Sequence, residues 1–309
     1  MYRSLKKVCP SFRLFVFAFD DDCASLMREL ALPEVTIITL AEFEDSELIR
    51  VKSSRTLAEY CWTCTASTIL YCLSHFDIDH CTYLDSDLFF YQNPQVMIDE
   101  MGNNDILITP HWFDENDDNS EEVGRYCVQF VTAKNSPNAL NIITKWRDEC
   151  LEWCYSRHED GKFGDQKYLD KWPEVYSGVC VSKNMGGGVA PWNMRRYSFY
   201  MIDGQLNAIE RKTRLSFSVV FFHFHFLYVS SRIFLHKFSF DTYSLDNNCS
   251  QLTFFPYCDE LRKSFKVLKH LGASNKVLGI LDDNTPWRNY FIQCLKRVWS
   301  KDYSHYLWI

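Results

Sequence analysis

Two carboxylates directly follow an apolar segment in the first third of the chain. Residues 80–90 read HCTYLDSDLFF, and Asp85 and Asp87 stand two positions apart where the segment ends. In an extended backbone such side chains point the same way. Paired carboxylate oxygens suit Mn²⁺ or Mg²⁺, which fill their other positions with phosphate oxygens and water. The pattern predicts a metal site that binds a diphosphate. The alternative is an acidic turn that caps the next element.

The elements that position this pair follow from the spacing of apolar residues. Strands are predicted at residues 13–19, 35–40, 81–84, 106–109 and 127–133, and helices at 23–31, 54–75 and 137–155. This alternation predicts an α/β fold with a mainly parallel sheet that binds ligands beyond the carboxyl ends of its strands. After about residue 195 the chain becomes aromatic and strand-like, and helices are expected near 258–271 and 286–299.

Composition excludes several classes of protein. The 309 residues are 47% hydrophobic and 24% charged, which is typical of a folded globular chain. The 40 acidic and 33 basic residues give a net charge of −7, which disfavours a nucleic-acid partner. We expect neither a secretory signal nor a membrane span, and the 13 cysteines are irregularly spaced. We therefore expect a cytoplasmic protein with reduced thiols.

Further segments extend the acidic motif into a family pattern. They are FGDQKYL at 163–169, KNMGGGVAPWN at 183–193 and VVFFHFHF at 219–226. Together with TYLDSDLFF they resemble the bacterial nucleotide-diphospho-sugar transferases of the GT-A fold, relatives of the glycogenin-like and lipopolysaccharide galactosyl- and glucosyltransferases. The run RTLAEYCWTCT and the tripeptide HWF also match, so the resemblance covers about residues 10–230.

The resemblance implies an architecture and a reaction. Residues 1–235 are expected to form a GT-A domain, a Rossmann-like mixed sheet flanked by helices, and residues 236–309 a C-terminal helical extension packed on it. The implied reaction is metal-dependent transfer of a sugar from a nucleotide-diphosphate donor, expected to be a UDP-sugar, to a hydroxyl of a glycan or a lipid-linked acceptor. The aromatic and basic helices of the extension either pack on the core or contact the inner face of a membrane.

The resemblance also implies a ligand set for the metal. Asp85 and Asp87 match the metal-binding DxD motif, and His223 in FFHF matches a late histidine that completes the metal shell. His225 is the alternative ligand, because strand alternation places both rings on one face. The alternative is that both histidines simply pack within an aromatic strand and bind no metal.

Residues expected to meet the donor follow from the same comparison. Asp165 and Gln166 match a DQ pair that lies by the sugar, where it hydrogen-bonds hydroxyls or steadies an oxocarbenium ion. Asp165 also fits a helix cap. Arg55, with Lys52 nearby, is expected to bind the diphosphate, although solvated charges beside a helix start fit these residues equally.

The glycine-rich segment contributes a second set of expected donor contacts. Gly187 and Gly188, which follow Gly186, are expected to let the backbone approach the donor closely. Trp192 and Asn193 are expected to form a sugar platform through indole stacking and amide hydrogen bonds. A flexible glycine turn at the surface is the alternative for this segment.

The chain departs from the family pattern in two places. It opens on MYRSLKK, which resembles the helix after the family's first strand, so we expect that strand to be absent. Cys127 stands where relatives commonly carry asparagine, which predicts the loss of a donor-sugar contact. A truncated, non-catalytic sugar-binding relative is therefore one alternative function.

A phosphatase of the haloacid dehalogenase type is the other alternative. In that fold an apolar strand also ends in DxD, and Asp85 would be the nucleophile, with Asp282 and Asp283 as the later acidic pair. The roughly 80 residues of βα units before the motif argue against it, because that fold usually starts with the motif.

Overall fold

The structure, a computed structural model, describes residues 1–232, 235–240, 247–282 and 307–308. The helix predicted near 286–299 and the residue Asp283 lie outside these ranges. The predicted α/β class is confirmed, since helices and strands alternate through the first half of the chain.

Several helices in the first half begin at a residue whose side chain caps the first turn. The strands are β1 Leu14–Ala18, β2 Val35–Thr39, β3 His80–Leu84, β4 Leu88–Phe90, β5 Ile106–Pro110 and β6 Tyr126–Lys134. The helices are α1 Tyr2–Val8, α2 Asp21–Leu30, α3 Leu40–Phe43, α4 Ser46–Lys52, α5 Leu57–His75, α6 Gln95–Glu100, α7 Ser120–Val123 and α8 Pro137–Glu152. Thr56 and Glu59 form a capping box, so α5 starts at residue 57 and not at the predicted 54.

Short strands and helical turns make up the second half. The strands are β7 Val179–Val181, β8 Tyr197–Ile202, β9 Gln205–Glu210, β10 Ser216–Ser218, β11 Phe221–His223, β12 Leu227–Arg232, β13 Leu235–Phe240, β14 Leu281–Asp282 and β15 Leu307–Trp308. The α-helices are α9 Trp172–Val175, α10 Asn247–Cys249 and α11 Phe255–His270. Gln166–Lys171, Met185–Gly187 and Met194–Arg196 are 3₁₀ turns, and Ser250–Phe254 is a π-helical turn.

A four-stranded mixed sheet carries the first part of the site. Its strand order is β3-β6-β5-β7, in which β6 runs antiparallel to both neighbours and only β5 and β7 are parallel. The expectation of a mainly parallel sheet was therefore wrong. Strand β6 is buried continuously from residue 127 to 133, and a continuous apolar run is the pattern that parallel strands usually show.

Smaller sheets surround this one. Strands β1 and β2 form a parallel pair, β8, β9 and β10 an antiparallel sheet, and β4 pairs antiparallel with β11. In the last pair His223 lies opposite Leu88, the residue that follows Asp87. This pairing brings the late histidine to the acidic turn across more than 130 residues of sequence.

The described part of the C-terminal region packs on the rest of the molecule. Strands β12 and β13 form an antiparallel hairpin, and the predicted boundary at 235/236 falls inside β13, directly after its first residue. Phe224 stacks on Tyr257 of α11, with ring centroids 3.9 Å apart, and both belong to one hydrophobic cluster. Within the described ranges no helix combines the length and apolar character needed to cross a bilayer, and no described cysteine forms a disulfide.

Candidate metal centre

The acidic turn between β3 and β4 is fixed by backbone hydrogen bonds on two sides. The Asp85 amide donates to the Gln129 carbonyl of β6 at 3.2 Å, and the Asp87 carbonyl accepts from the Phe224 amide at 3.0 Å. The turn is therefore anchored to the central strand and to the segment that follows β11. These anchors fix the backbone from which both carboxylates project.

His223 ends β11 and points its ring at both carboxylates. Its Nε2 lies 3.0 Å from Asp87 Oδ1 and 3.5 Å from Asp85 Oδ2, while its side chain is only 5% exposed. One ligand atom from each of these residues lies within 4.8 Å of the others. The structure thus brings the three residues together as a group that can hold a divalent metal ion.

The distances within the group fit a small cation. Two neighbouring ligands of an octahedral ion bound at about 2.1 Å lie about 3.0 Å apart. The separations of 3.0 and 3.5 Å from His223 Nε2 to the two carboxylates agree with this spacing. A nitrogen and two oxygens also form a donor set that suits a first-row divalent metal.

The electrostatics of the group favour a cation between its members. Burial raises the pKa of Asp85 to about 6, although the His223 charge opposes the rise. Burial also opposes ionisation of Asp87, but the charge and hydrogen bond of His223 outweigh it and lower the Asp87 pKa. Burial would lower the pKa of His223, yet the two carboxylates raise it well above its ordinary value. A proton on His223 Nε2 thus compensates the negative charge of the buried carboxylates, and a metal ion can take the place of that proton.

His225 lies beside the group without belonging to it. Its ring is 5.6 Å from the His223 ring and 5.5 Å from the Trp192 ring. Burial and the His223 charge lower its pKa to about 4, so it is neutral at physiological pH. The geometry therefore favours His223 over His225 as the metal ligand.

Asp165 is a buried carboxyl near the metal group. Its side chain does not cap the 3₁₀ turn that follows it, and Oδ2 finds no hydrogen-bond partner among the described residues. Burial raises its pKa to about 7, and the charge of Asp85 adds to the rise. Gln166, by contrast, donates from Nε2 to the Val123 carbonyl at 2.8 Å. The predicted DQ pair therefore has one member near the site and one bonded to the end of α7.

Replacing Asp165 with asparagine is expected to stabilise the metal-free protein in a pH-dependent way. In the folded state the Asp165 carboxyl keeps its proton up to about pH 7, whereas in the unfolded chain it loses that proton near pH 3.8. Wild type consequently loses stability as pH rises between these values, by up to about 4 kcal/mol. Urea unfolding should show Asp165→Asn more stable than wild type at pH 8 and equal to it near pH 4. A difference that does not change with pH would contradict this expectation.

The three glycines are buried and closely packed against protein. A Cβ on Gly186 would lie 2.0 Å from the Ser218 carbonyl oxygen, and one on Gly187 would lie 2.1 Å from the Met97 methyl carbon. A Cβ on Gly188 would lie 2.6 Å from the Trp112 ring. The segment is thus not a flexible surface turn, and the close approach that it permits is between parts of the chain.

Trp192 and Asn193 form part of the wall behind the metal group. Asn193 donates to the carbonyls of His111 and Gly188 at 2.8 and 2.7 Å and accepts from the Ala190 amide at 3.0 Å. Its amide therefore holds the loop together. The Trp192 indole donates to the His111 carbonyl at 2.7 Å and meets the His223 ring edge-to-face at 5.3 Å. Its ring therefore supports the histidine.

Arg55 and Lys52 have other partners at the start of α5. The Arg55 guanidinium stacks on the Tyr155 ring at 3.9 Å, and Lys52 pairs with Glu44 at 2.6 Å. Their expected contact with a diphosphate remains a prediction.

Sequence reasoning missed several polar side chains around the site. Tyr83 donates its hydroxyl to Asp85 Oδ1 at 3.0 Å, and Gln129 Oε1 contacts His223 Nδ1 at 2.7 Å. Cys127, which the sequence had already singled out, is buried two residues before Gln129, and burial raises the pKa of its thiol. A polar glutamine in the middle of the apolar strand YCVQFVTAK was the one signal available, since buried glutamines are uncommon.

Comparison with known proteins places the chain in a family. No family model matches it. It is 31% identical over 235 residues to the uncharacterized protein YfnD of Bacillus subtilis strain 168, covering 72% of this chain and 71% of that protein. It is 28% identical over 232 residues to the uncharacterized protein YfnF of the same strain, covering 72% and 75%. The chain belongs to the family of YfnD, and neither relative's name states an activity.

Proposed function

We propose that the protein is a metal-dependent glycosyltransferase of the GT-A fold. It transfers a sugar from a nucleotide-diphosphate donor, a UDP-sugar, to a hydroxyl of a glycan or a lipid-linked acceptor. The observation that carries the proposal is the convergence of Asp85, Asp87 and His223, which come from remote segments and meet through the β4–β11 pairing. The family pattern and the mixed α/β fold support it.

Each residue of the site has a chemical task in this proposal. Asp85, Asp87 and His223 hold Mn²⁺ or Mg²⁺, which offsets the charge that develops on the diphosphate leaving group. Trp192 packs edge-to-face against His223 and supports its ring. Asp165 is the carboxyl that faces the developing positive charge on the sugar, since it is buried near Asp85 but is not one of the metal ligands.

Hydrolysis of nucleotide sugars tests this function directly. Purified protein is incubated with Mn²⁺ and a panel of UDP-, GDP- and ADP-sugars, with and without EDTA, and the released nucleotide is measured. We expect EDTA-sensitive release of UDP from at least one donor. A generic phosphatase substrate serves as the comparison.

Two outcomes would contradict the proposal. Turnover of the phosphatase substrate without release from any nucleotide sugar would favour the haloacid dehalogenase interpretation. Protein that binds no Mn²⁺ and releases no nucleotide, even with glycan acceptors added, would indicate a non-catalytic relative.

A further inference from the structure

Gln129 is a buried polar side chain in the four-stranded sheet β3-β6-β5-β7. It lies in β6 with 0% exposure, between the buried apolar residues Val128 and Phe130. Its Nε2 has no hydrogen-bond partner among the described residues. A buried amide with an unmade hydrogen bond costs about 1–3 kcal/mol. Stability alone would therefore favour an apolar residue here, and the contact that the side chain does make needs an explanation.

That contact determines which nitrogen of His223 faces the carboxylates. Gln129 Oε1 lies 2.7 Å from His223 Nδ1, and a carbonyl oxygen only accepts, so Nδ1 carries a hydrogen and donates it. In the neutral ring the lone pair is then on Nε2. Nε2 is the atom that lies 3.0 Å from Asp87 and 3.5 Å from Asp85.

The same residue also contacts the acidic turn. The Gln129 carbonyl accepts from the Asp85 amide at 3.2 Å, while the Gln129 side chain contacts the His223 ring. One residue of β6 thus bonds both segments that supply the metal group. The ring also meets Trp192 edge-to-face at 5.3 Å, so the imidazole has a second contact besides Gln129.

We propose that Gln129 is the positioning residue of this centre, which selects the Nδ1–H form of His223 and aims its Nε2 lone pair at the metal position. The inference rests on the metal centre of the proposed function. Partners of this kind on ligating histidines typically account for 10- to 100-fold in metal affinity, about the effect expected here.

Mn²⁺ binding to Gln129 variants tests the inference without an activity assay. Gln129→Met keeps the length but removes the acceptor oxygen, Gln129→Glu keeps the acceptor, and Thr132→Val is the control. Thr132 is equally buried in β6 and its hydroxyl bonds that of Thr82 at 2.9 Å, away from the centre. Electron paramagnetic resonance measures free Mn²⁺, and electron spin echo modulation detects a coordinated imidazole nitrogen.

We expect Gln129→Met to bind Mn²⁺ roughly 10- to 100-fold more weakly and with reduced nitrogen coupling. Gln129→Glu and Thr132→Val should keep the coupling and most of the affinity. If Gln129→Met does not fold, Gln129→Asn repeats the test, because its shorter amide cannot reach Nδ1.

The possible failures can be told apart. The metal centre itself would be overturned if the wild-type protein bound no Mn²⁺. It would also be overturned if His223→Ala showed the same nitrogen coupling as wild type. A different result is that wild type binds Mn²⁺ with the nitrogen coupling while Gln129→Met or Gln129→Asn binds it equally well and with the same coupling. That result would overturn only the role of Gln129. Loss of the coupling in folded Gln129→Glu, or in Thr132→Val, would also overturn that role.

Discussion

Replacing Asp87 with asparagine is expected to lower Mn²⁺-dependent nucleotide release by about 100- to 1,000-fold in kcat/KM. The Asp87 carboxylate lies 3.0 Å from His223 Nε2 and is the ligand whose charge most strongly supports the positive charge in the group. Asparagine has nearly the same shape but removes that charge, so metal affinity and charge compensation on the leaving group both fall. Steady-state release of UDP at saturating Mn²⁺ measures the effect.

A surface aspartate provides the matched control for this variant. Asp259 has a 55% exposed side chain and pairs with Arg262 one turn along α11. Asp259→Asn should leave nucleotide release unchanged. Thermal unfolding of both variants shows whether the protein remains folded. Asp87→Asn protein that is folded and keeps Mn²⁺-dependent release close to the wild-type rate would contradict the assignment of Asp87 to the metal.

Replacing Gly186 with alanine is expected to destabilise the protein by about 3 kcal/mol or more, at the upper end of overpacking effects. The added Cβ would lie 2.0 Å from the Ser218 carbonyl oxygen, a backbone atom that cannot rotate away. The Gly186 carbonyl also accepts from the Val220 amide at 2.9 Å, which holds the two segments together. The melting temperature should fall by roughly 5–10 °C. Because β11 begins one residue after Val220, Mn²⁺ affinity should fall with it.

Gly204→Ala is the control for the cost of a glycine substitution itself. Gly204 has φ +79° in the turn between β8 and β9, and a Cβ there would meet no heavy atom within 4 Å. Its replacement adds backbone strain of about 1–2 kcal/mol without a clash. Equal melting temperatures for the two variants would show that the contact between Gly186 and Ser218 is not tight.

The local elements and the acidic motif could be predicted from the sequence. Caps and apolar spacing located α2, α5 and α8 to within a few residues, because these signals act over one or two helical turns. The spacing of Asp85 and Asp87 determined that both carboxylates leave the chain together. The direction of β6 was predicted wrongly, because a strand that is buried on both faces resembles the continuous apolar run usual in parallel strands, and only its pairing with β3 and β5 shows that it is antiparallel.

The sequence by itself determined which residue types carry chemistry and where short elements begin and end. Only the tertiary structure decided that His223 and not His225 meets the carboxylates, that the Gly186 segment packs against protein, and that Gln129 contacts the histidine. The physical reason is the range of the interactions. Caps and side-chain periodicity depend on near neighbours, whereas the pairing of β4 with β11 and the packing of β6 beneath them depend on contacts between segments far apart in sequence.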